Sequence, residues 1–214
     1  FIQKNKTHPK ANFWIQSLKN TKSYLSDWHC DTDFSDWQMA QNLIWIKANN
    51  PGKKIICWGG TSHFLYNSDQ VRMRSAIIQL LAANYYKKQP MMGHHVKARY
   101  GPEVFTIGFT AYEGKAGLFY TQKIPKPRKN SLEYLLGQSP YNNCLLPLQG
   151  LNLSGYLSRP LGNRYMKNNI ANVMDAVIFN RKMIDPYLDS NLFLSLYPEN
   201  KNIKPRPDEQ WEYD

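Results

Sequence analysis

An unbroken apolar run, Ile55-Ile56-Cys57-Trp58, constrains this chain more than any other feature of its sequence. Four apolar residues without polar alternation read as a strand buried on both faces, the pattern of a parallel sheet covered by helices. The flanks agree with that reading. Upstream, Trp37, Ala40, Leu43, Ile44 and Ile46 recur at threes and fours, which predicts a helix over 36–49 that Asn49-Asn50-Pro51-Gly52 stops. Downstream, Gly59-Gly60-Thr61-Ser62-His63 follows at once. Small residues leaving a buried strand let a ligand approach the backbone, and open α/β sheets bind ligands at their carboxyl ends.

The rest of the chain alternates in the same manner. Phe13, Trp14, Leu18, Leu25 and Trp28 fit one face of a helix over 11–29, and Met73, Ile77, Leu80 and Leu81 one face of a helix over 69–86. Beyond Pro90, residues 93–100 read as a short helix ending at Gly101. Val104 to Phe109 is rich in β-branched and aromatic residues and predicts a strand. Pro125 and Pro127 mark 123–128 as a loop, and Ser131 caps one or two helical turns over 131–136. Residues 143–148 and 173–179 predict two more strands, the first pushed to an edge by Pro147 and the second carrying Asp175. Helix–strand alternation of this kind predicts an α/β fold with a mainly parallel sheet flanked by helices over residues 1–197. The Pro-rich polar stretch 198–214 reads as a tail.

Composition closes off several classes. A chain of 214 residues suits one domain or one lobe, and 14% aromatic residues exclude a disordered chain. No run of eighteen apolar residues offers a membrane span. The start, Phe1-Ile2-Gln3-Lys4-Asn5-Lys6, has no apolar signal-peptide core, so a processed or truncated N-terminus is expected. Cys30, Cys57 and Cys144 are too few and too scattered for a disulfide framework or a CxxC metal site. Cys57 and Cys144 stand in apolar runs and are expected as small buried hydrophobes. The net charge is +11, and residues 51–100 alone carry a net +7. Such a surface attracts anions non-specifically, but no zinc-finger, RRM, KH or helix-turn-helix pattern accompanies it, so no specific nucleic-acid partner is expected.

His63 is the sharpest candidate for chemistry, because an imidazole both takes and gives a proton near neutral pH. The competing reading is a histidine satisfied by a backbone carbonyl at the sheet edge. Ser62 lacks the G-x-S-x-G elbow of a nucleophile, and Gly59-Gly60 lacks both the dinucleotide and the P-loop pattern. Asp36 reads as an N-cap, and Glu113 as a turn carboxylate just past the second strand or a partner in the cleft. His94 and His95 are neighbours on one helix, pointing about a hundred degrees apart, so they read as exposed rather than as a metal pair. No metal-ligand spacing is present.

At these residues the sequence resembles the erythromycin esterase family. Asp36-Trp37-Gln38-Met39-Ala40-Gln41-Asn42-Leu43 is similar to its R-D-x-x-M-A-x-N-L block, and Lys54 to His63 to its K-I-I-V-W-x-H-N-x-H block. Met91-Met92-Gly93, Tyr100-Gly101, Val104 to Thr110, Tyr112-Glu113-Gly114, Ser131-Leu132-Glu133 and Met174 to Phe179 follow in the family's order, so the likeness spans about 11–185. The resemblance implies an α/β hydrolase outside the Ser-His-Asp fold, in which histidine and glutamate activate water against an ester of a small-molecule substrate. It implies no cofactor. By this likeness His63 is the acid/base, and Asp36, Gly60, Thr61, Met92, Gly93 and Glu113 line the substrate site. The matched blocks form the family's C-terminal part. Its N-terminal part carries a G-E-x-x-H-G-like motif with no counterpart here, so the partner expected for this chain is an N-terminal segment of the same protein. The chain also departs from the pattern: the first histidine falls on Gly60, the asparagine on Thr61, the arginine on Ser35, and a later D-L-R on Pro147-Leu148-Gln149. Losing an imidazole removes a proton acceptor or an orienting group. The alternative expectation is therefore a non-catalytic relative that kept the fold.

Overall fold

The computed structural model describes residues 10–29, 35–77, 90–117, 122–167 and 169–184. Cys30, the second half of the predicted 69–86 helix and the Pro-rich tail lie outside them. Two helices open the fold, α1 (Ala11–His29) and α2 (Ser35–Ala48). They meet through amides: Gln16 and Gln38 both donate to Asn42 Oδ1, and Asn42 donates to Asn20. The aromatic side of α1 (Phe13, Trp14, Leu18 and Leu25) is exposed. Next come the single-turn α3 (Thr61–Phe64) and α4 (Met92–Tyr100), which ends where Gly101 turns the chain. Within 69–75 the predicted helix gives way to a 3-10 turn at Ser68–Gln70 and a bridge from Met73 to Met166, while residues 76 and 77 are helical.

One four-stranded sheet carries the domain, in the order β2 (Gln122–Ile124), β1 (Ile107–Ala116), β6 (Ala176–Met183), β3 (Asn143–Pro147). The expected mainly parallel sheet is corrected here. β1 and β6 run parallel, but β2 and β3 pair antiparallel to their neighbours. Helix–strand alternation fixes direction only where a long crossover separates paired strands, and β2 follows β1 too closely for one. Pro147 does sit on an edge strand, where a missing N–H costs no ladder bond. Residues 123 and 124, expected in a loop, belong to β2, and Ile124 is buried. A hairpin, β4 (Ser158–Leu161) and β5 (Arg164–Met166), forms a second small sheet. Gly162 and Asn163 both hold positive φ between its strands, as a two-residue primed turn requires.

The main core joins Val177 of β6 to Leu132, Leu148, Leu161, Met166, Ile170, Val173 and Met174. The helix α5 (Leu132–Gly137) enters it, with Ser131 accepting from the Tyr134 N–H as its cap. Glu133 is wholly buried here. Its Oε1 accepts from Thr110 Oγ1 at 2.8 Å and from the Arg159 N–H at 2.9 Å, while Arg159 donates to the carbonyls of Ala111, Tyr112 and Pro125. Burial pushes the Glu133 carboxyl above the usual carboxylate range, against those donors. A raised folded pKa contributes stability that is complete below the ordinary carboxylate pKa and lost as pH rises through the folded value. Glu133→Gln keeps an acceptor for Thr110 and Arg159 and cannot ionise. Its stability relative to the parent is expected to rise with pH over the range above the ordinary carboxylate pKa, as read by urea unfolding. A difference independent of pH would show that Glu133 does not titrate in that range.

The clearest departure from expectation is at Ile55–Trp58. These residues form no strand, and every residue from 51 to 60 is exposed, Cys57 among them. An apolar run records a tendency to be buried, but a strand also needs a neighbour to complete its ladder, and none of the described residues supplies one. Cys144 is half-buried on β3.

Candidate active site

A second, smaller core sets the site. Ala40 of α2 packs on Met92 and Val96 of α4, with Met39, Leu43, Phe64, Tyr100 and Val104 around them. That contact aims the first turn of α2 at the start of α4. Asp36 stands in this first turn and is 1% exposed. It caps a different helix from the one expected: its Oδ1 accepts the Met92 N–H at 2.8 Å, at the positive end of α4. The same carboxylate holds His63, with Nδ1 3.0 Å from Oδ2 and 3.1 Å from Oδ1.

Several hydrogen bonds anchor His63. Gly60 starts α3 in an extended conformation, and its carbonyl accepts the His63 N–H at 3.1 Å. At the other end of the turn, Thr106 Oγ1 donates to the Phe64 carbonyl. Because a carboxylate only accepts, Nδ1 carries the proton toward Asp36, and Nε2 is the basic nitrogen of the neutral ring. The His63 side chain remains 41% exposed, so the imidazole is within reach of a solute while its orienting carboxylate is not. The partner of Nδ1 is thus a carboxylate rather than a backbone carbonyl.

His63, Asp36, Gly60, Thr61, Met92 and Gly93 thus gather at one corner. Glu113 does not. It lies inside β1 rather than in a turn, in register with Lys182 of β6. The strand continues past Phe109 because β6 pairs with it as far as Gly114. Four residues of strand, about 13 Å, separate Glu113 from Phe109, whose ring meets Trp58 before the His63 turn. His95 is the residue that the sequence reading missed. It is half-buried rather than exposed, and burial and His94 hold its imidazole below the usual histidine range, against the Pro90 carbonyl and the Asp36 charge. The available signal was its position three residues after Met92, on the turn that Asp36 caps. Among the described residues, no group of three or more His, Cys, Asp or Glu is arranged to hold a metal ion. No described helix is long and apolar enough to cross a membrane.

A mixed α/β domain with a carboxylate–imidazole pair beside its sheet is the class that fold and site define. The family model of erythromycin esterase matches residues 4–183, and the chain belongs to that family. Two solved structures share the fold. One is an erythromycin esterase mutant, EreC, in its open conformation: 16% identity, TM-score 0.52, covering 77% of this chain and 41% of that one. The other is a succinoglycan biosynthesis protein: 19% identity, TM-score 0.51, covering 70% of this chain and 38% of that one. The chain thus spans about two fifths of the length of either structure. No curated protein matches it.

Proposed function

We propose that this chain is part of a hydrolase that cleaves an ester-type bond by water attack, with His63 as general acid/base and Asp36 as its positioning residue. The observation that carries this is the buried Asp36 carboxylate on Nδ1 of a partly exposed imidazole. In the proposed reaction Nε2 takes a proton from water as the oxygen attacks the ester carbonyl carbon. The tetrahedral intermediate collapses with cleavage of the carbon–oxygen bond, and the proton passes from Nε2 to the leaving alkoxide. Asp36 stabilises the imidazolium formed between these steps. Gly60 and Thr61 border the place where a small-molecule substrate would lie, with the buried Met92 and Gly93 as its backing. Glu113 has no place there. The remaining acid/base groups, a glutamate and a second histidine, come in this reading from an N-terminal segment of the same protein. No cofactor is part of the proposal.

A second reading has one specific observation in its favour. Gly60 stands where the family pattern has a histidine, which fits a relative that kept the fold and lost turnover. An ester panel assayed with the native polypeptide and its His63→Ala variant separates the two. The hydrolytic reading expects kcat/KM to fall at least about 100-fold in the variant. Equal, measurable turnover by both removes His63 from the mechanism, and no turnover by the parent favours the second reading.

A further inference from the structure

Cations that lie far apart in the sequence meet around the β4–β5 hairpin. Residues 71–77, 122–131 and 157–169 hold nine Lys and Arg and no Asp or Glu. Backbone bonds draw the three segments together. The Arg74 N–H donates to the Tyr165 carbonyl at 2.8 Å and the Lys167 N–H to the Arg72 carbonyl at 2.7 Å, so 72–74 runs antiparallel beside β5. The loop 126–129 closes on the same strand: the Arg128 N–H donates to Tyr165 Oη at 2.9 Å, and the Arg128 guanidinium stands 6.0 Å from the centre of that ring. Alternation sorts the side chains. Met73 and Met166 enter the core, so Arg72, Arg74, Tyr165 and Lys167 share the opposite face. Arg72, Arg74, Lys126, Arg128, Lys129 and Lys167 are all exposed. The buried Arg159 fixes the arrangement from beneath, donating to the Pro125 carbonyl at 2.9 Å and lying 5.4 Å from the Tyr165 ring centre. Two carboxylates come nearest in chain or register, Asp69 before Arg72 and Glu113 beside the Gly114–Ile124 pair, against these six cations.

We propose that this face binds a phosphate polyanion, a phosphodiester or polyphosphate chain, through its charged backbone and without reading bases. Guanidinium forks match the oxygens of a phosphate. Cations two residues apart on a strand stand about 7 Å from one another, and those on adjacent strands about 5 Å, which suits a linear chain carrying a charge every few ångströms. Base readout is excluded by the one aromatic residue of the three segments. Tyr165 already has two guanidinium groups at its ring and its hydroxyl on the Arg128 N–H, so it offers no platform for stacking. A lipid surface fits less well. Ile77, at the end of its segment, is the one large hydrophobic residue exposed in the three, so the face lacks apolar anchors to enter a headgroup layer. The role is separate from the proposed hydrolysis and uses none of the groups at His63.

Fluorescence anisotropy of a labelled DNA duplex, titrated with the native polypeptide from about 50 to about 200 mM salt, tests this. The expected result is an affinity whose logarithm falls against the logarithm of salt with a slope of about −3 or steeper, the signature of four or more neutralised phosphates. Inorganic polyphosphate should displace the duplex, and whichever of the two binds more tightly per phosphate names the source of the chain. Arg74→Glu with Lys167→Glu should weaken binding at least about tenfold and make the slope shallower by about two, at an unchanged urea midpoint. Lys126→Glu with Lys129→Glu, in the exposed loop, should do the same and keeps the outcome readable should the first pair unfold. Lys19→Glu with Lys22→Glu makes the same change of net charge on the exposed side of α1 and should leave affinity within about threefold. An equal loss in the α1 pair overturns the proposal, because net charge alone then accounts for binding. No binding at about 50 mM salt, a slope shallower than about −3, no displacement by polyphosphate, or unchanged binding by both hairpin-face variants overturns it as well. So does binding to phosphatidylserine vesicles in place of DNA, since the partner is then a lipid surface.

Discussion

Asp36→Ala is expected to remove the proposed hydrolysis and to loosen the junction of α2 with α4 in one step. One buried carboxylate accepts the Met92 N–H at 2.8 Å and holds His63 Nδ1 at 3.0 Å. Deleting it leaves the Met92 donor unsatisfied inside the protein, which costs about 1–3 kcal/mol. The imidazole loses the acceptor that sets its tautomer, and comparable losses in hydrolases that use a carboxylate–histidine pair cost about 10⁴-fold in turnover. Asp36→Asn separates the two effects. Its carbonyl oxygen still accepts from Met92, so stability stays close to that of the parent, but its NH₂ opposes the Nδ1 proton. The ring then turns to its other tautomer and Nε2 ceases to be basic. Urea unfolding should therefore place the variants in the order parent, Asn, Ala, while kcat/KM collapses in both. An active Asn variant would show that Asp36 serves the fold alone.

How much of this was legible follows from the range of each interaction. Ser131 caps α5 and Pro147 marks an edge because both signals act within a few residues of where they are read. The stop of α4 at Gly101 is equally local. His63 and Met92 meet through the Asp36 carboxylate, a contact between three separate blocks of the chain. The carboxylate of Asp36 reaches a helix 56 residues away, and nothing near Asp36 in the chain announces it, so a local N-cap was the natural reading. Glu113 was misplaced for a related reason. Gly114 beside it looks like a turn glycine, yet β1 runs on to Ala116, because β6 pairs with it as far as Gly114, where Met183 lies so close that a side chain would not fit. Ile55–Trp58 fails in the opposite direction. Its residues fit a buried strand, but a ladder belongs to two strands, and the second one cannot be read from the first. Helix–strand alternation likewise reports the layers and leaves open which strands become neighbours, which is why the parallel expectation gave way to a mixed sheet.

Gly93→Ala is expected to be among the most damaging single-methyl changes in the molecule, although Ala is the better helix former. In an open helix the exchange gains about 0.5–1 kcal/mol. At position 93 the second residue of α4 lies directly on the end of α3. An added Cβ would overlap the Phe64 carbonyl and come within 2.8 Å of the Leu65 carbonyl oxygen. Both are backbone atoms, so no side chain can swing aside. The Phe64 carbonyl is already tied to Thr106 Oγ1, and the Tyr66 N–H, which follows the Leu65 carbonyl, to the Val173 carbonyl. Relief must therefore come from parting α3 and α4, and overpacking of this kind costs about 1–3 kcal/mol or more. The same displacement separates His63, carried by α3, from the carboxylate pinned to the start of α4. Stability and kcat/KM should fall together, by about 3 kcal/mol and at least about tenfold. Gly155→Ala is the control, since a Cβ there meets nothing within 4 Å, and it should match the parent in both measurements. If Gly93→Ala unfolds at the parent's midpoint with full activity, the close approach of α3 to α4 does not hold His63 on its carboxylate.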